Sequence, residues 1–176
     1  DMAVLAAGIF GATRPVAELD PEEWRRVQAV NVDSATDLLS RLHPLLAASP
    51  ASPAVAVVAS RNVLAPGKGA AAYSASKAAL TQLARVTALE WAEDGIRVNV
   101  VHPDAVFDTG LWTPELLAER AAEYGLTVDD YKRRNLLSVE VTSATVGGVV
   151  AELLSERFAA TTGAQIPIDG GSERVI

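Results

Sequence analysis

The sequence contains no cysteine, which excludes a disulfide framework and a thiolate metal site. Its two histidines, His43 and His102, lie far apart and neither has a partner at metal-ligand spacing, so no metal is expected. Aromatic residues make up only 5%, which leaves the core to Ala, Val, Leu and Ile. Positive charge is scarce too. Lys and Arg number 15 against 22 Asp and Glu, a net charge of −7, the wrong sign for gripping a phosphate backbone, so no nucleic acid partner is expected. No apolar run reaches the roughly 18–20 residues of a membrane span, and no charged-then-apolar signal peptide opens the chain. No membrane partner is therefore expected, and the expected location is the cytoplasm.

What the sequence does have is apolar patterning. Hydrophobic residues form 49% of 176, enough for one domain with a real core. The runs MAVLAA (2–7), AVAVVAS (54–60), IRVNVVH (96–102) and AQIPID (164–169) read as buried strands. Asp20 is a good N-cap before Pro21, Glu22 and Glu23, and opens a helix to about 46, bent or broken on the way. A long amphipathic helix covers 71–93, with Leu80, Leu83, Ala84 and Trp91 on or near one face, and Gly95 ends it. A further helix covers about 143–155 in spite of Gly147 and Gly148.

Residues 104–140 differ in character: mixed and charged, with Trp112, Tyr124 and Tyr131 spread through them and two helices at about 114–124 and 127–136. This segment reads as a lid-like insertion covering something. Strands alternating with helices imply an α/β fold: a parallel sheet of about four strands in sequential order, with helices on both faces.

The stretch GAAAYSASKAAL (69–80) places Tyr73 and Lys77 at i and i+4, on one helix face. A free phenol with a pKa near 10 is a poor acid or base at neutral pH. A nearby ammonium stabilises the phenolate and makes it a workable proton carrier. The pair alone also fits the wet edge of an alanine-rich helix. Ser60 stands at a strand's carboxyl end, where parallel sheets build sites; its hydroxyl either holds a substrate oxygen or merely satisfies backbone groups. Asn31 is a poor helix-interior residue, which points to a kink, a water-binding site or an ordinary polar position.

Taken together, Asn31, Ser60, Tyr73 and Lys77 in this order resemble the short-chain dehydrogenase/reductase family. WRRVQAVNV, YSASK, GIRVNVVHP and TTGAQIPIDGG look like family segments, and the likeness covers nearly the whole chain. It implies an NAD(P)-dependent oxidoreductase interconverting an alcohol and a carbonyl on a Rossmann-like, doubly wound sheet. Tyr73 would be the general acid/base. Lys77 would lower its pKa and bind the nicotinamide ribose, Ser60 would orient the substrate oxygen, and Asn31 would hold a water. Gly8, Pro103, Val106, Tyr73 and Lys77 would contact NAD or NADP, with the Val106 backbone meeting the carboxamide.

HPDAVFDTGLW and the 104–140 insertion look most like bifunctional aldolase/short-chain dehydrogenases of the rhamnulose-phosphate aldolase type, implying a small hydroxy-aldehyde or sugar-type substrate. Departures are Pro103-Asp104 for the usual Pro-Gly, Asp108 at the usual Thr, and Leu5-Ala6-Ala7-Gly8 for Asn-Asn-Ala-Gly. By the same resemblance the helices at about 21–46 and 73–93 would pair in a homo-oligomer.

The sequence has no strand, Gly-rich turn and helix in succession to cradle a pyrophosphate; after Gly8-Ile9-Phe10-Gly11 comes a loop. The resemblance therefore implies a truncated domain, 1–176, holding family strands four to seven. The first strand is expected to be an exposed apolar edge, and cofactor binding by this chain alone is expected to be weak or absent. One alternative is a catalytically inactive α/β association module. Another is a serine hydrolase using Ser60 and His102, which Ala59-Ser60-Arg61 supports poorly for want of a Gly-x-Ser-x-Gly elbow.

Overall fold

The computed structural model describes residues 1–171. Four strands, β1 (Met2–Leu5), β2 (Ala54–Val58), β3 (Arg97–Pro103) and β4 (Gln165–Ile168), alternate with helices. The α-helices are α1 (Pro21–Gln28), α2 (Ser34–Ala47), α3 (Ala71–Glu90), α4 (Pro114–Glu123), α5 (Val128–Lys132) and α6 (Ser143–Leu154). The strands pair in sequential order, all parallel. Val4 lies beside Ala56 and Ala56 beside Asn99, while Val100 lies beside Gln165. This is the expected α/β sheet of four strands.

Side-chain parity distributes the core. Val55, Val57, Val98 and Val100 face the side covered by α2 and α3, where Leu39, Leu80 and Ala84 meet them. Ala54, Ala56 and Val101 face the other side, against Val146, Val150 and Leu153 of α6. A period of two along each strand therefore splits one apolar run between two helical layers. The outer strand β1 exposes Met2 at 54% and Val4 at 47% while burying Leu5, so its free edge is apolar as expected.

The first long helix is broken on the way, as expected: five residues, Ala29–Asp33, wind as a π-helix between α1 and α2, a local widening that often marks functional positions. One element departs from the sequence reading. The second helix of the 104–140 segment is only Val128–Lys132, because Arg133 already leaves helical geometry at φ −110°. Pro103 closes β3, pairing with Ile168. Proline is tolerated where the ladder ends.

Arg97 reveals how α6 is held. Its guanidinium, 5% exposed, donates to the carbonyls of Leu153, Leu154, Ser155 and Phe158. These are the last carbonyls of α6 and the turn after it, which have no partner within the helix.

Candidate active site

The carboxyl ends of β1, β2 and β3 open into a cleft of about 1100 Å³. Its walls are the loop after β1, the loop after β2, the first turn of α3, and much of the 104–140 segment. Ser60, Tyr73 and Lys77 all line it, as do Gly8, Pro103 and Val106. Asn31 lies just behind, on the π-helical turn, 1% exposed.

Tyr73 sits in the first turn of α3 with its ring 4.8 Å from that of Phe10. Burial raises its phenol above the ordinary value, and the Ser60 hydroxyl lowers it. The Ser60 Oγ accepts from the Asn62 N–H at 3.1 Å, which leaves the hydroxyl hydrogen to donate towards the cleft. The net shift of the phenol is upward. The Lys77 Nζ donates to the Val58 carbonyl at 2.9 Å and stands 5.8 Å from the Tyr73 ring centroid. Lys77 itself is 3% exposed, and burial lowers its ammonium to about 8.

Asn31, on the π-helical turn, has a partner for each polar atom of its carboxamide. Its Oδ1 accepts from the Ile9 N–H at 2.8 Å, and its Nδ2 donates to the Ile9 carbonyl and to the Ser76 Oγ, both at 2.9 Å. Ser76 in turn donates to the Tyr73 carbonyl at 2.7 Å. One side chain thus ties the loop after β1 to the backbone that carries Tyr73. Gly8 lies inside this knot: a Cβ there would stand 3.2 Å from the Lys77 Nζ and 3.5 Å from the Asn31 Oδ1.

His102 does not form a hydrolase pair with Ser60. Its Nδ1 meets the Ser60 backbone carbonyl at 3.0 Å, and its Nε2 faces the Gln165 Oε1 at 3.2 Å. With Nδ1 turned to that carbonyl and Nε2 to Gln165, neither ring nitrogen faces the Ser60 hydroxyl to activate it.

The departures from the family pattern have local partners. Asp104 pairs with the Arg61 Nη1 at 2.9 Å, joining the ends of β2 and β3. Burial raises its carboxyl to about 6, Arg134 lowers it and Asp169 raises it. Asp108 turns away from the cleft chemistry and caps α6, accepting from the Ser143 N–H at 2.8 Å and the Ser143 hydroxyl at 2.6 Å. The Val106 carbonyl accepts from the Thr109 hydroxyl at 2.8 Å.

The 104–140 segment adds an aromatic wall in which Phe107 lies 5.0 Å from Trp112 and 5.8 Å from Tyr131, ring to ring. Leu136 and Leu137 donate to the carbonyls of Gly171 and Gly170, and Arg120 reaches Thr13 at 3.4 Å. Sequence reasoning did not single out Phe10, Ser76, Arg134 or the Ser60-holding role of His102. Only Ser76 carried a signal, as a polar residue within the YSASK quintet. Among the described residues no three His, Asp or Glu side chains gather as metal ligands, and no helix is long and apolar enough to cross a membrane.

The family model described as enoyl-(acyl carrier protein) reductase matches residues 1–173. The chain belongs to the short-chain dehydrogenase/reductase family. Its members include NAD(P)-dependent oxidoreductases. An uncharacterised NAD-dependent oxidoreductase of Mycobacterium tuberculosis is 32% identical over 173 residues, 98% of this chain and 62% of that protein. The uncharacterised oxidoreductase YuxG of Bacillus subtilis is 41% identical over 119 residues, 65% of this chain but 17% of its own length. Among solved structures, 4-hydroxyisoleucine dehydrogenase in complex with NADH superposes with a TM-score of 0.79 at 25% identity, covering 98% of this chain and 69% of that one. The chain thus spans less than two thirds of these curated relatives.

Proposed function

We propose that the protein interconverts an alcohol and a carbonyl on a small hydroxy-aldehyde or sugar-type substrate, with Tyr73 as the general acid/base. The carrying observation is the meeting of Ser60, Tyr73 and Lys77 on the walls of one cleft at the carboxyl ends of a parallel sheet. The Ser60 hydroxyl donates to the substrate oxygen and holds it beside the Tyr73 phenol. In the oxidative direction Tyr73 takes the alcohol proton, and in reduction it returns one. Lys77, buried beside it, is a second proton-exchanging group, and the Asn31 Oδ1 retains a lone pair for a water next to it.

The nicotinamide end of NAD or NADP fits the residues present. Glycine at position 8 keeps the space beside the Lys77 Nζ open, where a Cβ would stand 3.2 Å away, and Tyr73, Pro103 and Val106 complete that wall. When bound, the dinucleotide supplies the hydride chemistry. For its pyrophosphate and adenosine the sequence offers no Gly-rich strand-turn-helix, so 1–176 alone is expected to bind it weakly or not at all. Similarity to an NAD-dependent oxidoreductase of M. tuberculosis and to a dehydrogenase solved with NADH supports this cofactor class.

The finer reading, a dehydrogenase module of a bifunctional aldolase/short-chain dehydrogenase, rests on the HPDAVFDTGLW resemblance. It is supported by the match to YuxG, of which the aligned region is only 17%. The 104–140 segment serves as the lid over the substrate. A homo-oligomer through the helical face is supported by exposed Leu38 and Leu45 of α2 and Leu89 of α3, the last at 80%.

The test is a steady-state assay of the full-length protein with NAD and with NADP, against small 1,2-diols, hydroxy-aldehydes and sugar alcohols. Nicotinamide turnover is expected with one cofactor, and Ser60→Ala should lower it by about 10²–10³-fold, the scale of one lost donor to a developing oxyanion. No turnover of any alcohol or carbonyl, with the oligomer intact on sizing, would leave the association module as the better account.

A further inference from the structure

The charge of the cleft is opposite to that of the chain. The protein carries −7 overall, yet among the described residues Arg61, Lys68, Lys77, Arg120, Lys132 and Arg134 line the cleft against Asp104 and Glu123 alone. Most of these cations are already engaged. Arg61 pairs with Asp104 and Arg120 with Glu123, both at 2.9 Å, and Lys132 pairs with Glu140 at 3.2 Å. Lys77 is committed to the Val58 carbonyl.

Arg134 is different. Among the described residues no carboxylate lies within ion-pair distance of it. Its guanidinium carbon stands 4.1 Å from the ring centroid of Tyr124 and 5.0 Å from that of Tyr131. Both tyrosines line the cleft too. Stacking spends the guanidinium's face on the rings and leaves its in-plane N–H fork available. That fork is the shape that a carboxylate or phosphate accepts in bidentate fashion. Arg134 also acts electrostatically on Asp104, at the end of β3, so its charge reaches the cleft floor. The carboxylates nearest the floor and the lid do not oppose an incoming anion, since Asp104 and Glu123 are each neutralised by an arginine. Lys68, on the loop after β2, adds a second cation whose carboxylate partner is not found among the described residues and which draws anions to the mouth.

We infer that Arg134, held on Tyr124 and Tyr131, binds an anionic group of the substrate, a carboxylate or a phosphate monoester. The inference deepens the reading of this cleft as a substrate site and rests on it, but its test uses binding and not turnover. Ligand-observed NMR titrations of the full-length protein compare matched probes: lactate with propane-1,2-diol, and glycerol 3-phosphate with glycerol. One anion of the two pairs should bind at least about tenfold more tightly than its neutral partner, the scale of hydrogen bonds to a charged group. Whichever pair shows the preference identifies carboxylate or phosphate. Arg134→Gln should erase the preference while leaving the neutral probe's binding unchanged, and Arg134→Lys should retain part of it. Should Arg134→Gln fail to fold, Arg134→Met, which still covers the tyrosine rings, is read in its place.

Equal binding of anion and neutral partner by the wild type overturns the inference. So does an anion preference that survives in Arg134→Gln. A loss of NADH affinity in Arg134→Gln with the preference intact would assign the guanidinium to the cofactor's phosphates and also overturn it. None of these outcomes depends on Tyr73, so the redox reading stands or falls separately.

Discussion

The Asn31 carboxamide clasps the Ile9 backbone from both sides, accepting from its N–H at 2.8 Å and donating to its carbonyl at 2.9 Å. This reciprocal pair is what the π-helical turn accomplishes: the extra residue in the turn aims Asn31 across to the loop after β1. The same Nδ2 reaches Ser76, and Ser76 reaches the Tyr73 carbonyl. A residue 22 positions away from Ile9 therefore fixes both the cleft wall and the helix turn that presents the phenol.

Asn31→Ala should unpair the Ile9 amide and carbonyl together. Each buried polar group left without a partner costs about 1–3 kcal/mol, so urea unfolding should show a loss of about 2–4 kcal/mol, with turnover falling as Tyr73 loses its brace. A change within about 0.5 kcal/mol would show that water replaces the clasp without penalty.

Lys77 gives a pH dependence of known sign. Its folded pKa, lowered to about 8 from 10.5 by burial, lies below its unfolded value. Between these two values the unfolded chain holds a proton that the folded chain has released, so stability rises with pH across that window. The contribution is fully present above 10.5 and is lost as pH falls through about 8. Comparing the denaturant midpoints of wild type and Lys77→Met from pH 7.5 to 10.5 should show the wild type gaining on the variant. Parallel curves would mean that Lys77 stays protonated in the fold.

Gly170 anchors the lid. Its φ is +66°, and a Cβ would run into the Asn135 side chain, which already holds the Val139 backbone at both its N–H and its carbonyl. Gly170→Ala forces a left-handed alanine, at about 1–2 kcal/mol, and displaces Asn135. Trypsin should then cut after Lys132, Arg133 or Arg134 several-fold faster than in the wild type, with a small drop in Tm. Unchanged cleavage would show that the lid is held elsewhere.

Much of this structure was legible in the residues themselves. The apolar-rich runs at 54–60 and 96–102 announced central parallel strands, and Asp20-Pro21 announced a helix start, where Asp20 does accept from the Glu22 N–H at 2.9 Å. Three of the four resemblance-derived catalytic residues, Ser60, Tyr73 and Lys77, do share the cleft. What was not legible depended on partners distant in sequence. The π-turn needs Ile9, and the Arg97 cap needs carbonyls 56 residues on. The electrostatic arrangement also turned on three-dimensional contacts. The i, i+4 spacing placed Lys77 near Tyr73, but neither the Val58 carbonyl that accepts from its ammonium nor the burial that shifts both groups could be read from that spacing. Arg134 looked like one charge in a charged segment until Tyr124 and Tyr131 were found beneath it.

The most direct test of the account is single-turnover hydride transfer by the full-length protein with Tyr73→Phe. The ring, its contact with Phe10 and its packing are kept, and only the hydroxyl is lost. The account predicts a fall of about 10²–10⁴-fold in the chemical step, the range attributed to a positioned acid/base, with the nicotinamide dissociation constant nearly unchanged. Hydride transfer at the wild-type rate in Tyr73→Phe would contradict it.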